Sequence, residues 1–301
     1  MRKTIAIIGA TTGLGRAAAR ELARAHHVIA CGRDVARVSA AVPAASEVMR
    51  VDLTDLADVL RFADQLLAPG TRIDALICNA GVQGHGAPAR TRDGFEETFA
   101  VNHLAHFAIA TRLAPQLGRV VFIGSGTHDP RDRLARLLFG FRGARYTTAR
   151  ALAAGDGDAS VDDAQRARDR YATSKLCNLL TVEALARRGI DAVALDPGVM
   201  PGTQLARAYG PVARFAWHTV MRAVALVMPG ASSVRRSARA LAWIATAPAL
   251  AHRYYDHRKR PLEAWEGARR SDWIEDLYAT SSELVASSSP LASTSASSSS
   301  A

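Results

Sequence analysis

Residues 4–15 read Thr-Ile-Ala-Ile-Ile-Gly-Ala-Thr-Thr-Gly-Leu-Gly. The first five are β-branched or apolar and predict a short buried strand. Gly9, Gly13 and Gly15 follow at once, and 16–26 reads as a helix. A strand, a glycine turn and a helix in direct succession form the context a phosphate-cradling loop requires. Glycines let the backbone approach a pyrophosphate, and the helix N-terminus offers unpaired N–H groups and a positive dipole end. The spacing is Gly-x-x-x-Gly-x-Gly, unlike the commoner Gly-x-Gly-x-x-Gly. Gly9, Thr11, Thr12, Gly13, Leu14 and Gly15 are therefore candidate cofactor contacts.

Working outward, a second strand at 27–31 ends in Gly32-Arg33. An acidic residue there would bind the adenosine ribose of NAD. Here Arg33 stands beside Gly32, and Arg16 sits just behind the glycine loop, a pair that suits the 2′-phosphate of NADP. Asp34 is the opposing signal, since its carboxylate could reach a ribose. A third strand, 48–51, leads into Asp52-Leu53 and an amphipathic helix through Leu67. Asp52 is either an acceptor for the adenine amino group or an N-cap-type residue, with Thr54 and Asp55 competing for the cap. A fourth strand, 73–77, runs into Cys78-Asn79-Ala80-Gly81. Gly81 permits close backbone approach and Asn79 can tie two strand ends together.

Asn102 falls within a predicted long helix, 94–117, where asparagine needs a special reason. His103 and His106 flank it and read as packing or solvent-facing residues. The apolar run 119–123 is a strand ending Gly124-Ser125-Gly126. Ser125 could polarise a carbonyl oxygen from this strand end, although a serine so placed is also an ordinary turn former. Tyr171 and Lys175 stand four residues apart in a helix-patterned stretch, RYATSKLCNLLTV. Lysine is scarce, with only Lys3, Lys175 and Lys259 among 38 basic residues. One helix face directs both side chains into one space, where a cation favours the phenolate and lowers its pKa.

The glycine loop, Asp52-Leu53, Asn79-Ala80-Gly81 and Tyr171-x-x-x-Lys175, in this order, resemble the short-chain dehydrogenase/reductase superfamily over about 4–203. Val101-Asn-His-Leu-Ala-His-Phe107 and Tyr171-Ala-Thr-Ser-Lys-Leu-Cys-Asn178 are similar to its retinol dehydrogenase and light-dependent protochlorophyllide reductase branch. The resemblance implies NADP(H), and a catalytic set of Asn102, Ser125, Tyr171 and Lys175. In this set Asn102 helps hold a water that relays protons to the lysine, and Lys175 also binds the nicotinamide ribose. Gly124 departs from the pattern, which commonly has a second serine there. A sixth strand, 192–195, leads to Asp196-Pro197-Gly198. The family places this turn by the nicotinamide, and Pro197, Gly198 and Thr203 are candidate contacts; Thr203 could instead be a helix N-cap. The implied activity is NADP(H)-dependent interconversion of a carbonyl and an alcohol. Reduction of a ring carbon–carbon double bond and a non-catalytic NADP-binding regulator are the alternatives. Homodimers or homotetramers are implied too.

The expected fold is α/β: a single Rossmann-like, doubly wound parallel sheet of about seven strands, with helices on both faces. Residues 1–280 form this domain, and 281–301, rich in serine and alanine, read as a disordered solvated tail. Ser125 and Tyr171 are 46 residues apart, so 126–170 is an insert, with an apolar–basic piece at 134–141 and an acidic, flexible one at 155–163. Residues 204–230 read as a substrate lid, whose apolar helix carries Arg214, His218 and Arg222 on one face. It fits a lid over an apolar substrate, peripheral contact with a membrane, or a helix closing its own core. Trp265, Trp273 and Tyr278 are expected to pack near the substrate mouth.

The net charge of +10 comes from dispersed arginine without a dense basic tract, which argues against nucleic acid. Cys31, Cys78 and Cys177 lie far apart and read as buried thiols, and no cluster has metal-ligand spacing. Residues 1–8 pass straight into a strand with no leader pattern, so a cytoplasmic protein is expected.

Overall fold

The computed structural model describes residues 1–67, 72–200 and 230–288. Thr4–Ile8 forms β1, and its alternation decides which side chains meet which layer. Ile5 and Ile7 face one core, with Leu22 and Ile244. Ala6 and Ile8 face the other, with Phe62, Leu104 and Leu180. Both faces are covered because every crossover between parallel strands carries a helix to one side of the sheet. After β1 come α1 (Gly13–Leu22), β2 (His27–Gly32), α2 (Val35–Ala41) and β3 (Glu47–Arg50). Next are α3 (Leu56–Leu66), β4 (Ile73–Cys78), α4 (Glu97–Phe99), α5 (Ala105–Leu113) and β5 (Leu117–Ile123). The remainder comprises α6 (Arg133–Phe139), α7 (Ala149–Ala154), α8 (Asp163–Arg187), β6 (Ala192–Asp196), α9 (Val234–Thr246), β7 (Tyr254–Asp256) and α10 (Ser271–Ser287).

All neighbouring strands are parallel, in the order β3-β2-β1-β4-β5-β6-β7. The order reverses between β1 and β4, which opens a crevice at their C-terminal ends. The glycine loop and Asn79-Ala80-Gly81 leave these two strands and meet in that crevice. This is the doubly wound α/β fold that the sequence predicts.

Several expectations need correction. The helix predicted over 94–117 starts at Glu97 and contains a π-helical turn, Ala100–Leu104. The insert 126–170 is largely built structure: it holds α6, α7 and the first turns of α8. Its acidic piece does structural work rather than staying flexible. Asp158 accepts from Ser160 N (3.0 Å) and pairs with Arg142 (2.9 Å), while Asp162 caps α8 by accepting from Gln165 N (2.7 Å). Tyr254–Asp256 is the seventh strand, too short for its alternation to be read. Trp273 stacks on Tyr146 of the insert (4.9 Å), and Tyr278 meets Phe107 and Arg188.

The tail boundary at 281 is also wrong. α10 runs to Ser287, with Ser281 fully buried against His103 (2.9 Å) and Leu284 in the core. Serine and alanine are small enough to let this helix lie close on α5 and α8. The expected lid at 204–230 and Thr203 lie outside the described residues apart from Gly230, and so does the tail beyond 288. Among the described residues no helix is long and apolar enough to cross a membrane.

Candidate active site

The glycine loop is shaped by what a Cβ would strike. At Gly9 (φ 86°) it would lie 2.9 Å from Ala80 Cα, and at Gly15 it would lie 2.2 Å from Gly9 O and 2.4 Å from Asn79 Nδ2. Asn79 Nδ2 donates to Gly9 O (3.0 Å) and to Ile8 O (3.4 Å), so it ties the two loops together. Gly13 differs: nothing lies within 4 Å of a Cβ built there. It opens α1, whose N-cap, Thr12, makes no side-chain cap and whose first turn has no acidic residue. The N–H groups of that turn thus keep their capacity for an anion. Leu14 is buried, and Thr11 and Thr12 line the loop, half-buried.

At the adenosine end, Asp34 is committed elsewhere. It caps α2 by accepting from Arg37 N (3.0 Å). Arg16 and Arg33 are exposed and pair with no carboxylate among the described residues. α3 is capped by Asp55, which accepts from Asp58 N (3.0 Å), so Asp52 is not its cap. Asp52 accepts from Thr54 N and Oγ1 through one oxygen (3.1 and 2.8 Å). Burial alone would raise its pKa, but the Thr54 hydrogen bonds and the charges of Arg33 and Arg50 hold it below the usual carboxylate range. Leu53 packs into the core.

The residues that the resemblance marks as a catalytic set lie where β4 and β5 end. A Cβ on Gly81 would lie 3.1 Å from Asn102 Oδ1 and 3.9 Å from Lys175 Nζ. The π-helical turn explains Asn102. The widened turn presents its side chain to the loop after β4, where it accepts from Val82 N (2.7 Å) and donates to Val82 O (2.9 Å) and Ser174 Oγ (2.9 Å). Lys175 Nζ, 5.4 Å from the centre of the Tyr171 ring, donates to Ile123 O (3.2 Å), as does Asn178 Nδ2 (3.0 Å). Two side chains of α8 therefore grip the last carbonyl of β5, two residues before Ser125. Ser125 Oγ accepts from Thr127 N (3.4 Å) and Thr127 Oγ1 (3.1 Å), which leaves its own proton to donate. Its carbonyl accepts from His128 Nδ1 (2.6 Å).

The electrostatics correct one expectation. In the protein alone the Tyr171 phenol is not acidified. Burial, followed by the Asp196 carboxylate, pushes it up to about 12. Burial lowers Lys175 to about 8, only partly offset by Asp196. Desolvation is the leading cause of both shifts, with Lys175 buried and Tyr171 half-buried on the same face of α8.

Sequence reasoning missed several participants. Asp196, raised by its enclosure, accepts from Gly198 N (2.8 Å) and lies 3.4 Å from the Tyr254 hydroxyl. The Tyr254 ring also explains Gly124, since a Cβ there would come within 3.0 Å of it. Phe141 of the insert meets the Tyr171 ring at 5.9 Å, and Ser174 links Asn102 to the Tyr171 carbonyl (2.7 Å). An acidic residue ending a strand was a readable signal for Asp196; the contacts of Tyr254 and Phe141 had none. His103 and His106 are fully buried and pack; burial lowers them to about 3 and about 4, so both are neutral. Pro197 is buried, and Gly198 (φ 71°) leaves only backbone room beside His257 and Gly230.

Comparison with known proteins agrees with this arrangement. Residues 3–131 match the family model of the short chain dehydrogenases. The chain is 33% identical to protochlorophyllide reductase A of Oryza sativa subsp. japonica over 278 residues, covering 82% of this chain and 69% of that one. It is 34% identical to protochlorophyllide reductase of Avena sativa, covering 82% and 86%. A solved structure of an uncharacterized protein from Mycobacterium paratuberculosis superposes with a TM-score of 0.60 at 31% identity, over 94% of this chain and 93% of that one. A short chain dehydrogenase from Burkholderia cenocepacia, in complex with NADP, shares the fold at TM-score 0.56 and 22% identity, over 81% and 90%. With its reversed strand order, glycine loop and Tyr171–Lys175 pair, the chain belongs to the short-chain dehydrogenase/reductase family and is related to its protochlorophyllide reductase-like branch.

Proposed function

We propose that the protein is an NADP(H)-dependent oxidoreductase that interconverts a carbonyl and an alcohol on a small, apolar substrate, with Tyr171 as the proton donor and acceptor. Its main support is the convergence of Gly81, Asn102 and Lys175 at the ends of β4 and β5, beside an uncapped helix N-terminus. NADPH, when bound, supplies the hydride. The residues present fit it: the first turn of α1 for the pyrophosphate, Arg16 and Arg33 for the 2′-phosphate, and Lys175 for the nicotinamide ribose. Dehydrogenases of this fold solved with NADP, such as that of Burkholderia cenocepacia, support the cofactor assignment. Tyr171 gives its proton to the carbonyl oxygen, Ser125 donates a hydrogen bond to that oxygen, and Lys175 stabilises the phenolate left behind. Asn102 holds the loop after β4 in register for this exchange. Self-association as a homodimer or homotetramer belongs to the same proposal.

Purified protein is expected to consume NADPH with one class among retinal, long-chain aldehydes, steroid ketones and quinones. Silence across that panel, with NADPH binding intact, would overturn the carbonyl reading. It would favour the second one, reduction of a ring carbon–carbon double bond, which the protochlorophyllide reductase relatives support.

Reduction should also depend on pH in a defined direction. Tyr171, near 12, stays protonated through the neutral range, so the donor is loaded. Lys175, near 8, is charged below that pH and neutral above it. As pH rises through about 8 the phenolate loses its cation, and kcat for reduction is expected to fall. A kcat profile flat from pH 6 to 10 (a range of about four units around that value) would exclude this role for Lys175.

A further inference from the structure

Arg236 and Arg239 stand three residues apart on α9, exposed on one side of that helix. The turn that follows β7 brings His257, Arg258 and Lys259 to them, and these five line a cleft of about 590 Å3. Asp256 builds the turn: its Oδ1 accepts from Arg258 N (2.7 Å) and Arg260 N (2.9 Å), and its Oδ2 pairs with Arg260 (2.7 Å). Arg260 is thereby neutralised.

The other four cations are not. Among the described residues Arg236, Arg239, Arg258 and Lys259 have no carboxylate within ion-pair distance; Lys259 lies over the Trp243 ring at 5.5 Å. Other arginines of the molecule do have carboxylate partners, as Arg142 has in Asp158 and Asp169, and Arg119 in Asp191. Four like charges on one cleft raise its potential and repel each other, a cost that an anion removes. A neutral polar group completes the cleft. His257 is only 5% exposed and its Nε2 has no hydrogen-bond partner.

The strand that leads into this cleft, β7, lies far across the sheet from the end proposed for the 2′-phosphate. β7 lies five strand positions from β2, which at the usual strand spacing is about 24 Å from the end that carries Arg33. It lies two positions from β5, about 10 Å from the end that carries Ser125. The Pro197-Gly198 turn joins the two regions, since a Cβ on Gly198 would lie 2.8 Å from His257 Nδ1.

We propose that this cleft is a subsite for an anionic group, a carboxylate or a phosphate, that the substrate carries about 10 Å from its reacting carbonyl. The substrate is then amphipathic, apolar along its length and charged at the far end. The placement of the carbonyl rests on the function proposed above; the anion site itself does not.

Calorimetric titration of NADPH-saturated protein at low ionic strength tests it, with nonanedioate and inorganic pyrophosphate as the two anions. Saturable binding of at least one is expected, weakened about tenfold or more in both Arg236→Gln and Arg258→Gln and retained in Arg236→Lys. The two anions distinguish a carboxylate from a phosphate subsite. Absence of saturable binding for both, or equal affinity in wild type and both glutamine variants, overturns the proposal. The kinetic counterpart is the ratio of kcat/KM for 9-oxononanoate over nonanal, expected to fall about tenfold in Arg236→Gln. If neither aldehyde turns over while nonanedioate binding depends on Arg236, the carbonyl assignment fails and the subsite stands. Turnover of both with equal kcat/KM, without anion binding, has the opposite meaning.

Discussion

Replacing Tyr171 with phenylalanine is expected to lower kcat for reduction by about 10²–10⁴-fold while NADPH binds as before. That corresponds to about 3–5 kcal/mol of transition-state stabilisation. The substitution removes one oxygen and its proton and leaves the ring, so the contact with Phe141 at 5.9 Å and the packing of α8 survive. Ser125 is a far weaker acid, and His128 donates its Nδ1 proton to the Ser125 carbonyl. Lys175 has its Nζ 5.4 Å from the centre of the Tyr171 ring, so in the variant it is set back from the position of the lost hydroxyl. Stopped-flow turnover alongside a fluorescence titration of NADPH separates the two effects. A variant turning over within about threefold of wild type would exclude Tyr171 as the donor.

Gly15→Ala is expected to cost about 1–3 kcal/mol of stability and to abolish measurable NADPH binding. Its methyl would sit 2.2 Å from the Gly9 carbonyl and 2.4 Å from Asn79 Nδ2, a backbone atom and an amide already holding two loops together. Neither can move aside without parting the glycine loop from Asn79-Ala80-Gly81. Gly13→Ala is the control, with open space around the new Cβ. It carries only the cost of a non-glycine residue at φ 55°, about 1–2 kcal/mol. Urea unfolding midpoints of the two variants, with NADPH titrations, decide the matter. Equal NADPH affinity in Gly15→Ala and wild type would show that the loop tolerates separation.

Much of this molecule is legible along the chain because its signals are local. A β-branched run, a glycine turn and a helical period over residues 4–26 need no distant partner to be recognised. The strands at 27–31, 73–77 and 192–195 are equally self-announcing, and the structure extends each by one residue. Tyr171 and Lys175 share a helix, so their proximity follows from its pitch alone. What the chain left open was decided by competition for partners. Asp34 and Asp55 are both strand-to-helix residues, and only the folded backbone shows that each caps a helix, which leaves Asp52 to Thr54.

Three features could be decided only in three dimensions. The first is the π-helical turn: its extra residue is a property of how Asn102 reaches Val82, not of helix propensity in Ala100–Leu104. The second is α10, whose serine-rich end reads as a tail until α5 and α8 offer a surface on which Ser281 and Leu284 are buried. The third is charge. A lysine beside a tyrosine implies an acidified phenol, yet burial works against both charged forms and reverses the sign. The sequence by itself determined the first six strands, the glycine loop and the Tyr171–Lys175 pair, because covalent neighbours and helical periodicity carry them. The tertiary structure decided β7, the buried C-terminal helix, the ionisation of the pair and the meeting of Arg236 and Arg239 with Arg258 and Lys259. Each of these depends on desolvation or on contact between distant segments, and neither exists until the chain has folded.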